Sequence, residues 1–123
     1  MKKNLILIAE DEPAYGKILK DMLVKRNCEV VVVLNGDELL KLARKITPDL
    51  VLLDLIMPIK NGFQVIEEMK KDQSLKNINV IALSNLGQTD DIEKAKKLGV
   101  NEYIVKSDED LYSVIDKILR YLN

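Results

Sequence analysis

The sequence contains no histidine, which excludes histidine-based catalysis, histidine metal sites and histidine phosphorylation within this chain. Cysteine is nearly absent as well: the single one, Cys28, cannot form an internal disulfide. Because it begins an apolar run, we interpret Cys28 as a small buried hydrophobic residue.

An excess of charge of either sign is also missing, since 19 basic and 20 acidic residues give a net charge of −1. Such a balance provides no basic footprint for nucleic acid or an anionic membrane. No apolar run approaches the roughly 20 residues that cross a bilayer. Residues 5–9 are apolar, but three acidic residues follow them directly and no cleavage site for a secretory signal is visible. We expect a cytoplasmic protein that binds neither membrane nor nucleic acid.

The chain does contain a regular alternation of apolar runs and amphipathic segments. Its 123 residues, 47% hydrophobic and 32% charged, suit one globular domain. The runs, mostly continuous as in strands buried on both faces, are residues 5–9, 29–34, 50–53, 80–83 and 103–105. Helical spacing follows at residues 13–26, 36–46, 62–71, 89–98 and 111–122. The pattern predicts an α/β fold in which (βα) occurs five times.

Right-handed crossovers then give a doubly wound, five-stranded parallel sheet between two helix layers. We expect the flavodoxin-like strand order 2-1-3-4-5, a three-layer α/β/α sandwich. Capping signals predict where helices begin: Asn35 before the second, Thr89 at the fourth, and Ser107 with Asp110 before the fifth. Gly99 is placed to end the fourth helix, whose thin apolar stripe indicates weak anchoring.

Polar side chains follow four of the five predicted strands. Glu10 and Asp11 follow the first strand, Asp54 the third, Ser84 the fourth and Lys106 the fifth. The carboxyl ends of parallel strands share one edge, so three carboxylates, a hydroxyl and an ammonium should meet there. Like charges brought together are unfavourable unless something offsets them, and Mg²⁺ bound by carboxylate oxygens would do so.

This set of groups suits phosphoryl transfer, which needs an in-line nucleophile, a metal and groups that balance the charge of the phosphoryl oxygens. A carboxylate can act as the nucleophile and become an acyl phosphate. Lys106 offers a mobile positive charge and Ser84 a hydroxyl donor.

Four segments resemble the signature blocks of response-regulator receiver domains. They are residues 7–12 (Leu-Ile-Ala-Glu-Asp-Glu), 54–62 (Asp-Leu-Ile-Met-Pro-Ile-Lys-Asn-Gly), 82–84 (Ala-Leu-Ser) and 103–106 (Tyr-Ile-Val-Lys). Their order and spacing fit this family over essentially the whole chain. The resemblance implies a single receiver domain, residues 1–123, of a two-component system.

The resemblance also implies a role for each matching residue. Asp54 corresponds to the phosphorylated aspartate. Mg²⁺ would be held by Asp54, by Asp11 directly, by Glu10 partly through water and by the backbone carbonyl of Ile56. In the same way, Ser84 corresponds to the hydroxyl that moves toward the phosphoryl group. Tyr103 corresponds to the aromatic residue that swings inward behind that hydroxyl, and Lys106 to the lysine that pairs with the phosphoryl oxygens.

The implied function is a phosphorylation-dependent signalling switch. A sensor histidine kinase or phosphotransfer protein would supply the phosphoryl group, and the surface of the fourth helix, fifth strand and fifth helix would control an unidentified downstream protein or a fused output domain. The chain would be a monomer, or a dimer through that surface. It would catalyse its own phosphorylation and slow dephosphorylation, and would not be an enzyme acting on external substrates. Whether it is a stand-alone regulator or an excised domain stays open.

Four positions depart from the family pattern. Ser107 replaces the usual proline, and a cis peptide there would cost about 3–4 kcal/mol, so we expect a trans bond or a strained exception. Asn85 stands where a small residue is usual and restricts access to the site. Ile56 and Leu86 flank the phosphoryl position with apolar side chains, which cannot orient a water, so self-dephosphorylation should be slow.

Two other functions remain as alternatives. Ser107 and Asn85 raise the possibility of a phosphorylation-independent pseudo-receiver that acts as a protein-binding module. A flavodoxin-like nucleotide binder is disfavoured, because no glycine-rich phosphate loop follows the first strand.

Overall fold

The computed structural model describes residues 3–122, in which five strands and five helices alternate. The strands are β1 (Asn4–Ala9), β2 (Cys28–Val33), β3 (Leu50–Asp54), β4 (Asn79–Ser84) and β5 (Glu102–Val105). The helices are α1 (Pro13–Val24), α2 (Gly36–Ile46), α3 (Gly62–Lys71), α4 (Thr89–Leu98) and α5 (Leu111–Leu119). A short 3-10 turn at Lys106–Asp108 joins β5 to α5. Among these residues, no helix has the length and apolar composition that a bilayer span requires.

The strands form one parallel sheet in the order β2-β1-β3-β4-β5, which confirms the predicted fold class and topology. In the register, Ala9 of β1 lies opposite Leu53 of β3, and Leu53 lies opposite Ala82 of β4. Ala82 in turn lies opposite Tyr103 of β5. This alignment brings the residues that end β1, β3, β4 and β5 to the same edge of the sheet.

Two apolar clusters, one on each face, hold the sheet between its helix layers. One cluster packs strand residues such as Leu53 against α2, α3 and α4, and the other packs residues such as Leu52 against α1 and α5. Every residue of β3 is buried, because side chains on both of its faces meet helices. The central strand is therefore the most enclosed one, and it ends in Asp54.

Two of the predicted helix caps agree with the structure. Asn35 begins α2, and its side-chain oxygen accepts a hydrogen bond from the Glu38 amide at 2.9 Å. Gly99 ends α4 with a φ of 110°, a conformation that glycine adopts without strain. The bond between Lys106 and Ser107 is trans, since the described residues include no cis peptide.

Two other predicted caps are wrong. Thr89 is already the first helical residue of α4, so Gln88 occupies the cap position and makes no side-chain cap bond. Ser107 belongs to the 3-10 turn, too far upstream of α5 to reach its free amides. Asp110 caps α5 instead, accepting a hydrogen bond from the Ser113 amide at 2.9 Å.

Candidate functional site

Asp54 ends the central strand, and its side chain is only 6% exposed. Both carboxylate oxygens have a fixed partner. The backbone N–H of Ile56 donates to Oδ1 at 3.0 Å, and Lys106 Nζ donates to Oδ2 at 3.1 Å. These two contacts from different elements hold the carboxylate in one orientation at the edge of the sheet.

Lys106 follows the last residue of β5 and reaches three carboxylates. Its Nζ lies 2.6 Å from Glu10 Oε2, 3.1 Å from Asp54 Oδ2 and 3.5 Å from Glu12 Oε1. Burial favours the neutral amine, but the Glu10 hydrogen bond and the Asp54 charge outweigh it and raise the pKa of Lys106. The lysine is therefore a buried group that carries its positive charge at neutral pH beside Asp54.

Glu10 is 1% exposed, directly after β1. Burial raises the pKa of Glu10 to about 7, the negative charge of Asp54 acts in the same direction, and Lys106 opposes both. One of its oxygens accepts the Glu12 amide at 3.1 Å, and the other faces Lys106. Glu10 therefore holds its proton more strongly than an exposed glutamate does.

A cavity of about 170 Å³ opens in front of Asp54. Its walls are Asp11, Glu12, Asp54, Ile56, Asn85 and Lys106. Five of the six are polar or charged, so the space suits a small polar or charged group. Asn85 lies at the wall, where the sequence predicted that it would limit access.

The carboxylates of Glu10, Glu12 and Asp54 each offer an oxygen, and these oxygens all lie within 4.8 Å of one another. This all-oxygen donor set fits a hard divalent cation such as Mg²⁺. Asp11, the predicted direct ligand, is exposed and stands at the cavity wall, outside that close group. The role of the Ile56 carbonyl as a ligand stays a prediction, although Ile56 does line the cavity.

Ser84 and Tyr103 are not among the residues that line the cavity, and both form a hydrogen bond with the backbone of Leu86. The buried Ser84 hydroxyl oxygen accepts the Leu86 amide at 3.1 Å. The half-buried Tyr103 donates its hydroxyl to the Leu86 carbonyl at 2.6 Å, and burial raises the pKa of this phenol. Both predicted switch residues are therefore bonded to one segment, the β4–α4 loop.

The sequence reasoning missed two residues of the site. Glu12 joins the carboxylate group, and the only available signal was its place in the acidic run after β1. Tyr15 of α1 places its ring 4.6 Å from Lys106 Nζ, a cation–π distance. Nothing in the sequence pairs residue 15 with residue 106, because their contact depends on the tertiary fold that brings the start of α1 close to the residue that follows β5.

This fold and this site define a class of protein. It is a doubly wound α/β domain with an acidic crevice, containing a lysine, at the carboxyl edge of its sheet. The chain matches the family model of the response regulator receiver domain over residues 6–116. It therefore belongs to the response regulator receiver domain family.

Individual relatives agree with this assignment. The chain is 35% identical over 116 residues to Protein PilH of Pseudomonas aeruginosa, covering 93% of this chain and 96% of PilH. A crystal structure of the phosphorylated cyanobacterial phytochrome response regulator RcpA has a TM-score of 0.88 and 34% identity, covering 98% of this chain and 94% of RcpA. The Mn²⁺-bound response regulator Rcp1 has a TM-score of 0.81 and 27% identity, covering 94% and 88%.

Several other curated relatives are longer. The chain covers between 47% and 57% of probable transcriptional regulators from algae such as Porphyra purpurea and Guillardia theta. It thus spans about half the length of those proteins.

Proposed function

We propose that this chain is a phosphorylation-dependent switch that accepts a phosphoryl group on Asp54 from a phosphohistidine of another protein. One observation carries the proposal: a buried carboxylate at a strand end is held by a backbone N–H and by a buried lysine at the wall of an acidic cavity. That arrangement fixes a nucleophile and supplies the positive charge that phosphoryl transfer requires.

In the proposed reaction, a carboxylate oxygen of Asp54 attacks the phosphorus of the phosphohistidine. A P–O bond forms, the P–N bond breaks, and the imidazole nitrogen of the donor keeps the electron pair. Lys106 stabilises the phosphoryl oxygens, as its position 3.1 Å from Asp54 allows. A bound Mg²⁺ would supply Lewis-acid charge neutralisation. Glu10, Glu12 and Asp54 fit its ligand preference, and a metal-bound relative, Rcp1, supports a cation site.

The switch follows from the charge that phosphorylation adds, about 1.5 to 2 negative charges at neutral pH. This charge attracts the Ser84 hydroxyl, whose oxygen accepts a hydrogen bond from the Leu86 amide in this structure. Because Tyr103 is bonded to the Leu86 carbonyl, a shift of Ser84 disturbs both attachments of the β4–α4 loop. The surface of α4, β5 and α5 then changes shape and controls a downstream protein, a fused output domain or a second copy.

We propose further that the chain is cytoplasmic and acts on no external substrate. We also propose that its acyl phosphate is long-lived. Ile56 is 53% exposed and lines the cavity that holds Asp54. Because its side chain is apolar, it cannot orient a water molecule for attack on the acyl phosphate. Leu86→Glu should shorten the lifetime of the acyl phosphate. A short lifetime in the parent chain would contradict slow self-dephosphorylation.

Beryllofluoride, which mimics a phosphoryl group, tests the proposal when added with Mg²⁺. We expect amide chemical-shift changes at Ser84, Tyr103 and the β4–α4 loop of the parent chain. Asp54→Asn should abolish them, and Asp21→Asn, an exposed aspartate paired with Lys17, should not. An unresponsive parent, or a response that survives Asp54→Asn, would instead indicate a phosphorylation-independent binding module.

A further inference from the structure

The loop between β3 and α3 contains a strained isoleucine. Ile59 has a φ of 71°, and the Lys60 amide donates to the Pro58 carbonyl at 2.8 Å across it. These two features define a γ-turn in its strained form, whose central residue has a positive φ. A β-branched residue is among the least suited to this conformation, which glycine or asparagine adopts far more readily.

The backbone around this γ-turn is fixed from several sides. The Gly62 amide donates to the Leu55 carbonyl at 3.0 Å, and a Cβ at Gly62 would lie 2.6 Å from the Leu55 Cα. On the other side, a Cβ at Gly36 would lie 2.8 Å from the Lys60 carbonyl oxygen. Asn61 and Gln64 form a reciprocal capping box at the start of α3. The fold therefore imposes the strained turn whichever residue occupies position 59.

Burial in the apolar core does not offset this strain, because the Ile59 side chain lies at the surface. It is 81% exposed, the highest value among the large hydrophobic residues that the structure describes as exposed. A β-branched residue held at a strained and exposed position is an outlier of the kind that clusters at ligand and switch sites, which favours a contact outside the chain.

The place of Ile59 indicates what makes that contact. Ile56, three residues earlier in the same loop, is also exposed and lines the cavity of Asp54. A phosphohistidine donor must bring its imidazole to the mouth of this cavity, so its surface covers the loop beside it. A small phosphodonor reaches Asp54 without covering that loop.

Resting on the proposed role of Asp54, we propose that Ile59, together with Ile56, forms an apolar contact surface for the phosphohistidine-bearing protein. The matching surface on that protein presents aliphatic side chains next to its phosphohistidine. Lys60, the nearest basic group in the loop, is paired with Glu68. The recognition at this point is therefore apolar.

Two substitutions separate the contact from the strain. Ile59→Asn tolerates the positive φ but removes the apolar side chain, and Ile59→Leu keeps an apolar side chain without β-branching. Val24→Asn is the matched control, since Val24 is 49% exposed at the end of α1 that is remote from the cavity. Phosphorylation is measured with acetyl phosphate and with a purified phosphohistidine domain chosen because it phosphorylates the parent chain.

We expect Ile59→Asn to slow transfer from the protein donor at least tenfold, mainly through KM, and to change the acetyl phosphate rate less than twofold. Its denaturation midpoint should not fall, because the strain is relieved. Ile59→Leu should transfer within threefold of the parent, and Val24→Asn should transfer as the parent does.

Unchanged transfer to Ile59→Asn would overturn the proposal, and a change in self-association instead would assign the surface to a second copy. Equal losses with both donors would also overturn it, because Ile59 would then act on the chemistry of Asp54. Failure of the parent to accept phosphate from acetyl phosphate and from every phosphohistidine domain tried in choosing the donor would refute the proposed function itself.

Discussion

Helices α3 and α4 have ten residues each and pack against the same apolar cluster, but they are attached to the sheet very differently. α3 buries Gly62, Val65, Ile66 and Met69, and begins with a capping box. Of its described residues α4 buries one, Ala95, and its first turn has no side-chain cap.

This difference matters because the two helices follow the two loops of the site. The loop before α3 begins at Asp54, and the loop before α4 begins at Ser84. The proposed nucleophile, Asp54, is thus carried by the firmly packed side, and the residues proposed to respond to its phosphorylation, Ser84 and Tyr103, lie on the loosely packed side. Low burial and few fixed hydrogen bonds are the features expected of a segment that moves.

The largest test of this comparison is truncation of one apolar side chain in each helix. Met69→Ala in α3 should lower the free energy of unfolding by about 2–5 kcal/mol, because Met69 is fully buried. Ile92→Ala in α4 should cost about 1 kcal/mol or less, because Ile92 is only partly buried. Urea denaturation measures both. Equal losses would show that α4 is anchored as firmly as α3.

The second test addresses the charged contact that ties Lys106, after β5, to the first strand. The pKa of Glu10 is about 7 in the folded chain against 4.5 unfolded, chiefly through burial. Between pH 4.5 and 7 the folded chain keeps a proton that the unfolded chain has released. The free energy of unfolding therefore falls as pH rises through this window, on the order of 1–3 kcal/mol.

Glu10→Gln should remove that part of the pH dependence, measured by urea denaturation at pH 5 and pH 8. The matched control is Glu38→Gln, since Glu38 is exposed on α2, and it should keep the slope of the parent. If Glu10→Gln and the parent have the same slope, Glu10 is not the group that couples folding to pH here.

One property of the sequence predicts both the fold and the meeting of four residues at the carboxyl edge of the sheet. These residues are Glu10, Asp54, Ser84 and Lys106. Apolar runs set the strands, and parallel strands align their ends, so whatever follows each run is brought together. Backbone topology was enough to place these residues. Their individual contacts required the tertiary structure.

The sequence does not determine features that depend on a one-residue offset or on the direction of a side chain. Thr89 and Ser107 were plausible caps, but Gln88 and Asp110 occupy the positions that set the helix starts. Polar residues cluster there, so composition alone does not choose among them. Glu12, not Asp11, joins the close carboxylates, since neighbouring loop residues point in different directions.

A third test changes the helix caps. Asn61→Ala should lower the free energy of unfolding by about 1 kcal/mol, because it removes the Asn61 oxygen that accepts the Gln64 amide at 3.0 Å. Gln88→Ala should have almost no effect, since its side chain makes no cap bond. Thermal or urea denaturation compares them, and an equal cost at position 88 would mean that α4 is capped in solution.

The smallest expected effect concerns the β4–α4 loop itself. Tyr103→Phe removes the hydroxyl that donates to the Leu86 carbonyl at 2.6 Å, at a cost of about 0.5 kcal/mol, because this half-buried carbonyl regains water. Amide exchange should speed up at Leu86 and neighbouring loop residues and stay unchanged in α3. Tyr112→Phe, at a site 74% exposed, should change neither. If exchange rises equally in α3, the two sides of the site are one cooperative unit, and the loose packing of α4 does not set the mobility of the loop.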